Sequence, residues 1–244
     1  MIGRVVLAVL LAGIAAGFVM GVIQHVRLTP LILEAESFER ASDVHSHDQA
    51  APAAGAATTA PEAGHDHDHG DEGWTPENGW QRTLATTTAS AMAGAGFAAI
   101  LAAVSLLTGL TISRRTGLVW GLCGFLAATL APAAGLAPEL PGMAAADLLS
   151  RQVWWVGTIA ATAAGIYLLA TQTRLWAIVA AAVIILAPHV IGAPVAPHAE
   201  SLVPPELVAR FVANSIAANA VFWCVIGLFL GIVLDRTAKD LYAT

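Results

Sequence analysis

Long apolar stretches alternate with polar breaks along this chain, and all but one of the breaks are short. The apolar runs cover approximately residues 5–26, 84–110, 117–136, 153–170, 175–192 and 207–234. A helix needs ~20 consecutive apolar residues to cross a bilayer. The pattern therefore predicts an all-α fold, a polytopic membrane helix bundle of about six transmembrane helices forming one membrane domain over 1–244. The first run is longer than the ~7–15 residue apolar core of a signal peptide, so a retained helix is expected. Pro188 removes a helical donor and is expected to interrupt the fifth run.

Small residues recur within these runs at helical spacing. Gly13, Gly17 and Gly21 fall every fourth residue, as do Ser90, Gly94, Ala98 and Ala102, and Gly227 and Gly231 form a third pair. Each series lies along one helix face and permits close helix–helix approach.

The one long break, residues 34–81, is built from Ala, Pro, Gly, Thr, Asp, Glu and His without a repeating apolar face. Such a segment buries too little surface to offset its ordering entropy, which predicts a disordered, His/Asp-rich extramembrane loop. It carries His45 and His47, then His65, His67 and His69 separated by Asp66 and Asp68. In an extended segment alternate side chains share a side, so the last three histidines can converge on one ion. Imidazole suits nickel, copper, cobalt and zinc alike. The tract points to transition-metal chemistry without selecting the metal, and a solvated acidic linker is the competing reading.

Composition sharpens the membrane assignment. The chain is 57% hydrophobic and 11% charged, with a mean hydropathy of +0.71. The formal charge of −6 is unevenly placed: Glu34 to Glu77 holds 11 of the 17 acids and a single base, Arg40. The remaining bases stand singly or in pairs at the ends of apolar runs, which is no nucleic-acid footprint. Cys123 and Cys224 lie inside apolar runs without CxxC spacing, so they read as small packing residues. With an even number of spans both termini share a side. The short links bearing Arg114, Arg115 and Arg174, with Arg4, Arg236 and Lys239, concentrate positive charge there, which predicts cytoplasmic termini. The histidine-rich loop then faces the exterior or periplasm.

No Asp or Glu falls inside any of the six runs, which argues against a midplane carboxylate relay. The candidates for metal contact are His25, His45, His47, His65, His67, His69, His189 and His198. The candidates for a pathway or its mouth are Gln24, Glu139, Asp147, Arg151, Glu200, Asn214 and Asn219. Structural duties compete with these roles: Asn214 and Asn219 as interhelical hydrogen-bond partners, Glu139 with Arg151 as a loop ion pair. His189 is the strongest single candidate, because irregular backbone at membrane depth is tolerated only where it lines a protein-buried or water-filled cavity. Neither a nucleophile–base pair nor a HExxH zinc motif occurs, so no enzymatic activity is expected.

The connection LAPELPGMAAADLLSRQVWW (Leu136–Trp155), the later APHVIGAP (Ala187–Pro194) and the histidine-bearing end of the first helix resemble the CbtA family of predicted bacterial cobalt transporter subunits. The matching residues are Pro138, Glu139, Pro141, Gly142, Asp147, Arg151, Gln152 and Trp154, then Pro188, His189, Gly192 and Pro194. The resemblance implies a subunit of a cobalt uptake system of the bacterial inner membrane, linked to cobalamin synthesis. It also implies a small single-span partner, CbtB. The divalent metal ion, cobalt or alternatively nickel, is cargo, and no permanently bound cofactor is expected. A different class of function, a non-transporting metal-binding or assembly subunit of another permease, stays open.

Overall fold

In the computed structural model, residues 2–48, 76, 78–196, 201 and 203–242 are described, the side chains of 41–48 and 238–242 excepted. Every regular element among them is helical. The helices are α1 (Ile2–Ile23), α2 (Thr29–Asp48), α3 (Trp80–Thr108), α4 (Gly117–Phe125), the single turn α5 (Ala131–Ala133), α6 (Leu148–Thr171), α7 (Leu175–Ile191) and α8 (Pro205–Tyr242). Wide π-turns join α1 to α2 over Gln24–Leu28 and α4 to α5 over Leu126–Leu130. The result is a membrane helix bundle of six rods. Four of them, Ile2–Arg40, Trp80–Thr108, Leu148–Thr171 and Pro205–Thr237, are long and apolar enough to cross a membrane. Gly117–Ala133 and Leu175–Ile191 are shorter. The 17 residues of α7 rise about 25 Å at 1.5 Å each, somewhat less than the ~30 Å hydrocarbon core.

The first rod does not stop where its apolar run does. Sequence reasoning places a loop from Glu34, yet helix continues through Pro30 to Asp48. The π-turn explains the passage through proline. Thr29 N–H reaches back to Gln24 O, and the Thr29 hydroxyl donates to the same carbonyl at 3.1 Å. The widened turn has already shifted the hydrogen-bond ladder when Pro30 arrives without a donor. The second π-turn repeats the arrangement, with Leu130 two residues before Pro132 as Leu28 is two before Pro30. Likewise α7 is not broken at Pro188 but runs on to Ile191, where Gly192 ends it at φ 92°.

Small-residue faces hold the bundle together. The α1 and α3 stripes meet each other, antiparallel: a Cβ on Gly13 would strike the Gly94 carbonyl oxygen, and one on Gly94 would strike that of Gly13. A second seam of the same kind joins α4 to α8 through Gly117 and Gly227. Between the seams α8 supplies the core, where Ile226 and Leu230 are fully buried. The α6–α7 hairpin is peripheral. It packs mainly on itself, with Gly165 against Ile185, and touches the bundle through the second π-turn and α5.

Candidate functional site

Five polar residues, Thr129, Glu139, Arg151, Gln152 and Asn219, line one cavity of about 460 Å³ beside the connection between α5 and α6. Helix α6 contributes Leu148, Arg151, Gln152 and Trp155, residues at i, i+3, i+4 and i+7 that share one face. From α8 come Asn219 and Trp223, one turn apart; the second π-turn supplies Thr129, and Glu139 closes the rim from the connection. Asn219 stands about 21 Å of helix rise from Pro205. The cavity thus descends from the rim to the middle of α8.

Its floor is aromatic. Phe97 of α3 lies 4.8 Å, centroid to centroid, from Trp223, and Phe222 meets Phe97 edge-on at 6.2 Å. The indole N–H of Trp223 donates to Thr129 Oγ1 at 3.1 Å, which satisfies a buried donor and ties α8 to the π-turn. A Cβ on Gly124 would collide with the Trp223 ring. Below this plate the α4 and α8 backbones touch at Gly117 and Gly227.

At the rim, Arg151 Nη2 donates to Glu139 Oε2 at 2.7 Å. The contact uses one nitrogen of the guanidinium fork, and Arg151 Nε is buried without a hydrogen-bond partner among the described residues. Asp147 is the N-cap of α6: its carboxylate accepts from the Ser150 backbone N–H at 2.9 Å and from the Ser150 hydroxyl at 2.8 Å. The backbone hydrogen bond, then the side-chain one, holds the Asp147 carboxyl below its ordinary range.

The other candidates take separate places. Gln24 Oε1 accepts from Ser90 Oγ at 2.7 Å across the α1–α3 seam. His25 Nδ1 lies 3.2 Å from Thr83 Oγ1, in a distinct cavity bounded also by Trp80 and Thr87. His189 packs edge-on against Trp154 with centroids 5.8 Å apart. Trp154 Nε1 in turn donates to Pro188 O at 3.1 Å. A further cavity of about 870 Å³ lies on the α6–α7 face and is lined by apolar residues such as Val153, Ala161, Ile184 and Ile191. Asn214 and Asn219 bond not to another helix but to carbonyls one turn back in their own, Arg210 O at 2.8 Å and Ser215 O at 2.9 Å. The side chains of His45 and His47, and His65, His67, His69, His198 and Glu200 entirely, lie outside the described residues. Among the described residues no group of three or more His, Cys, Asp or Glu is placed to hold a metal.

Of the pathway candidates, then, Glu139, Arg151 and Asn219 converge, with Asp147 capping the helix that carries Arg151. Sequence reasoning missed Thr129, Phe97 and Trp223 as parts of this site. The available signal was Pro132, which marks the π-turn that turns Thr129 toward α8.

The apolar helices define a polytopic membrane helix bundle, with one ion-paired cavity toward the end where α6 and α8 begin. The chain belongs to the CbtA family, described as probable cobalt transporter subunit, and the family pattern matches residues 2–235. No curated protein and no solved structure matches it.

Proposed function

We propose that this protein is the membrane-spanning subunit through which a cobalt uptake system of the bacterial inner membrane admits its ion, with cytoplasmic termini and an outward histidine-rich insertion. The observation that carries this reading is the cavity bounded by Glu139, Arg151 and Asn219 in a bundle of the cobalt-transporter family. The sequence contains no Walker A phosphate loop, so energy comes from a gradient, a partner or the membrane potential. A divalent ion descending ~100 mV releases about twice the ~2.3 kcal/mol available per elementary charge. A small single-span membrane partner of the CbtB type completes the system.

The insertion serves as an antenna in which His45, His47, His65, His67 and His69 raise the local ion concentration, while His198 and Glu200, between α7 and α8, stand at the mouth. His25 and His189 stand as separate imidazoles for successive contacts, and Gln24 and Asn214 act as helix-positioning groups. Deleting residues 43–71 is expected to weaken uptake at low cobalt and leave it intact at saturating cobalt. Loss at saturation as well would make the insertion part of the pathway. The test of the whole reading is flux: liposomes holding the full chain with its small partner should accumulate Co²⁺ in competition with Ni²⁺. Absence of flux for every divalent ion would favour the non-transporting assembly subunit, and preference for nickel would reassign the cargo.

A further inference from the structure

We propose that Glu139 is the cation-binding carboxylate of the cavity and that Arg151 is its resident counter-ion, which an arriving divalent cation displaces toward Asp147. The proposal rests on the transport reading above and adds a binding site and an exchange step to it.

The geometry supplies both halves of the exchange. Glu139 and Arg151 face the same cavity as Thr129, Gln152 and Asn219. Asn219 spends its amide N–H on Ser215 O, and Thr129 Oγ1 accepts from Trp223 while keeping a second lone pair. The amide and hydroxyl oxygens of these residues are neutral acceptors suited to a hydrated cation. With a single carboxylate and no cluster of three metal-ligating groups among the described residues, the site cannot strip an ion of its water. It does not need to: six waters at about 30 Å³ each occupy roughly 180 Å³, well within the cavity volume of about 460 Å³. A site that holds an ion this lightly suits passage rather than storage.

Arg151 is poised to leave. It grips Glu139 through one nitrogen, and its Nε is buried and unpaired among the described residues. Asp147 stands four residues earlier, one turn away on the N-terminal side, and its carbonyl already accepts the Arg151 backbone N–H at 3.0 Å. As the N-cap of α6, Asp147 brings a second carboxylate to the same end of the helix that carries Arg151. While no cation is bound Arg151 neutralises Glu139, and both side chains keep more than a quarter of their surface exposed, so the exchange takes place within reach of water. When a dication binds Glu139, like-charge repulsion drives the guanidinium to the second carboxylate.

The test is a difference in sign. In liposomes holding the full chain with its small partner, E139Q removes the binding charge and should raise the KM for Co²⁺ about tenfold or more, the scale on which one nearby charge acts. R151Q removes the competitor and should lower KM severalfold. E139D, which keeps the charge, should stay closer to wild type than E139Q. A merely structural ion pair would move both neutral variants the same way or not at all, and either result overturns the proposal. Co²⁺ quenching of tryptophan emission, taken as the difference between each protein and its W155F counterpart, reports cavity occupancy without requiring flux. Opposite affinity shifts in quenching with no flux in wild type would sink the transport reading and keep the site. Flux without opposite shifts would keep the reading and sink the site. Each variant's size-exclusion profile establishes that it is folded before the comparison is made.

Discussion

Two ion pairs in this protein are nearly the same length and nearly equally covered, yet they stand in different surroundings. Arg82 Nη2 meets Glu36 Oε1 at 2.6 Å and Arg151 Nη2 meets Glu139 Oε2 at 2.7 Å, with side-chain exposures of 24% and 23% against 29% and 28%. The first pair is two-pronged, since Arg82 Nη1 also reaches Glu36 Oε2 at 3.3 Å, and Asn78 Oδ1 accepts from the same nitrogen at 2.7 Å. It pins α2 to the start of α3, beyond a glycine seam. The second is single-pronged and opens on a polar cavity. An arginine fork fully used is a clamp, whereas one used at a single nitrogen can exchange partners. The same contrast separates parts of the bundle: α1 with α3, and α4 with α8, close backbone to backbone, while the second π-turn, α5, α6 and the first half of α8 border a cavity.

The sharpest break of a closed seam is Gly13→Leu. The new side chain would run into the Gly94 carbonyl, and backbone cannot yield as a flexible side chain does. Overpacking typically costs 1–3 kcal/mol, occasionally more, so a large loss of monodisperse protein on size-exclusion is expected. Gly96→Ala on the same α3 helix meets open space and should be neutral or slightly stabilising, as replacement of a mid-helix glycine is. Equal losses from the two would mean that the seam is not what holds α1 to α3.

Smaller effects separate the two polar regions. Trp223→Phe keeps the aromatic floor but strips Thr129 of its donor, for a stability loss of about 1 kcal/mol. Thr129→Val added to it should cost little further, and additive losses in melting temperature would deny the bond. Neutralising the clamp, Glu36→Gln with Arg82→Gln, should lower stability by roughly 0.2–1 kcal/mol, the range of solvent-accessible pairs, and leave the KM for Co²⁺ unchanged. A KM shift as large as that of E139Q would erase the distinction between clamp and exchangeable pair.

The smallest effect depends on pH. Because the Asp147 carboxyl is held below its ordinary range by Ser150, its cap contribution is fully present above the ordinary carboxylate pKa. It is lost as pH falls through the depressed value. Asp147→Asn should therefore melt slightly below wild type at neutral pH, and the gap should close in acid below pH ~4. A gap that widens in acid would reverse the assignment.

How much of this was legible beforehand follows from periodicity. The stripe Gly13, Gly17, Gly21 and the stripe Ser90, Gly94, Ala98 announced close packing, because small residues every fourth position must share a face. Nothing in either stripe named its partner. Gly117 and Gly121 went unrecognised as the counterpart of Gly227 and Gly231, since two glycines at the start of an apolar run make too short a stripe to stand out. Pro188 was read as a break because proline removes a donor, yet Pro30 and Pro188 were both absorbed into helix, the first by a π-turn and the second by its nearness to the helix end.

The cavity was half visible: Glu139 and Arg151 were marked as polar groups between apolar runs, while Thr129 and Trp223 looked like ordinary members of theirs. His189 drew attention as an imidazole after a proline, yet it packs against Trp154 because α7 is not broken there.

Sequence by itself determined the class of molecule, since apolar runs of bilayer length with scattered charge admit hardly another fold, and its motifs determined the family. Only tertiary structure decided which stripes mate and which arginine clamps and which faces a cavity. Helix pairing and cavity shape depend on contacts between residues as far apart as Thr129 and Trp223, and local spacing does not encode those distances.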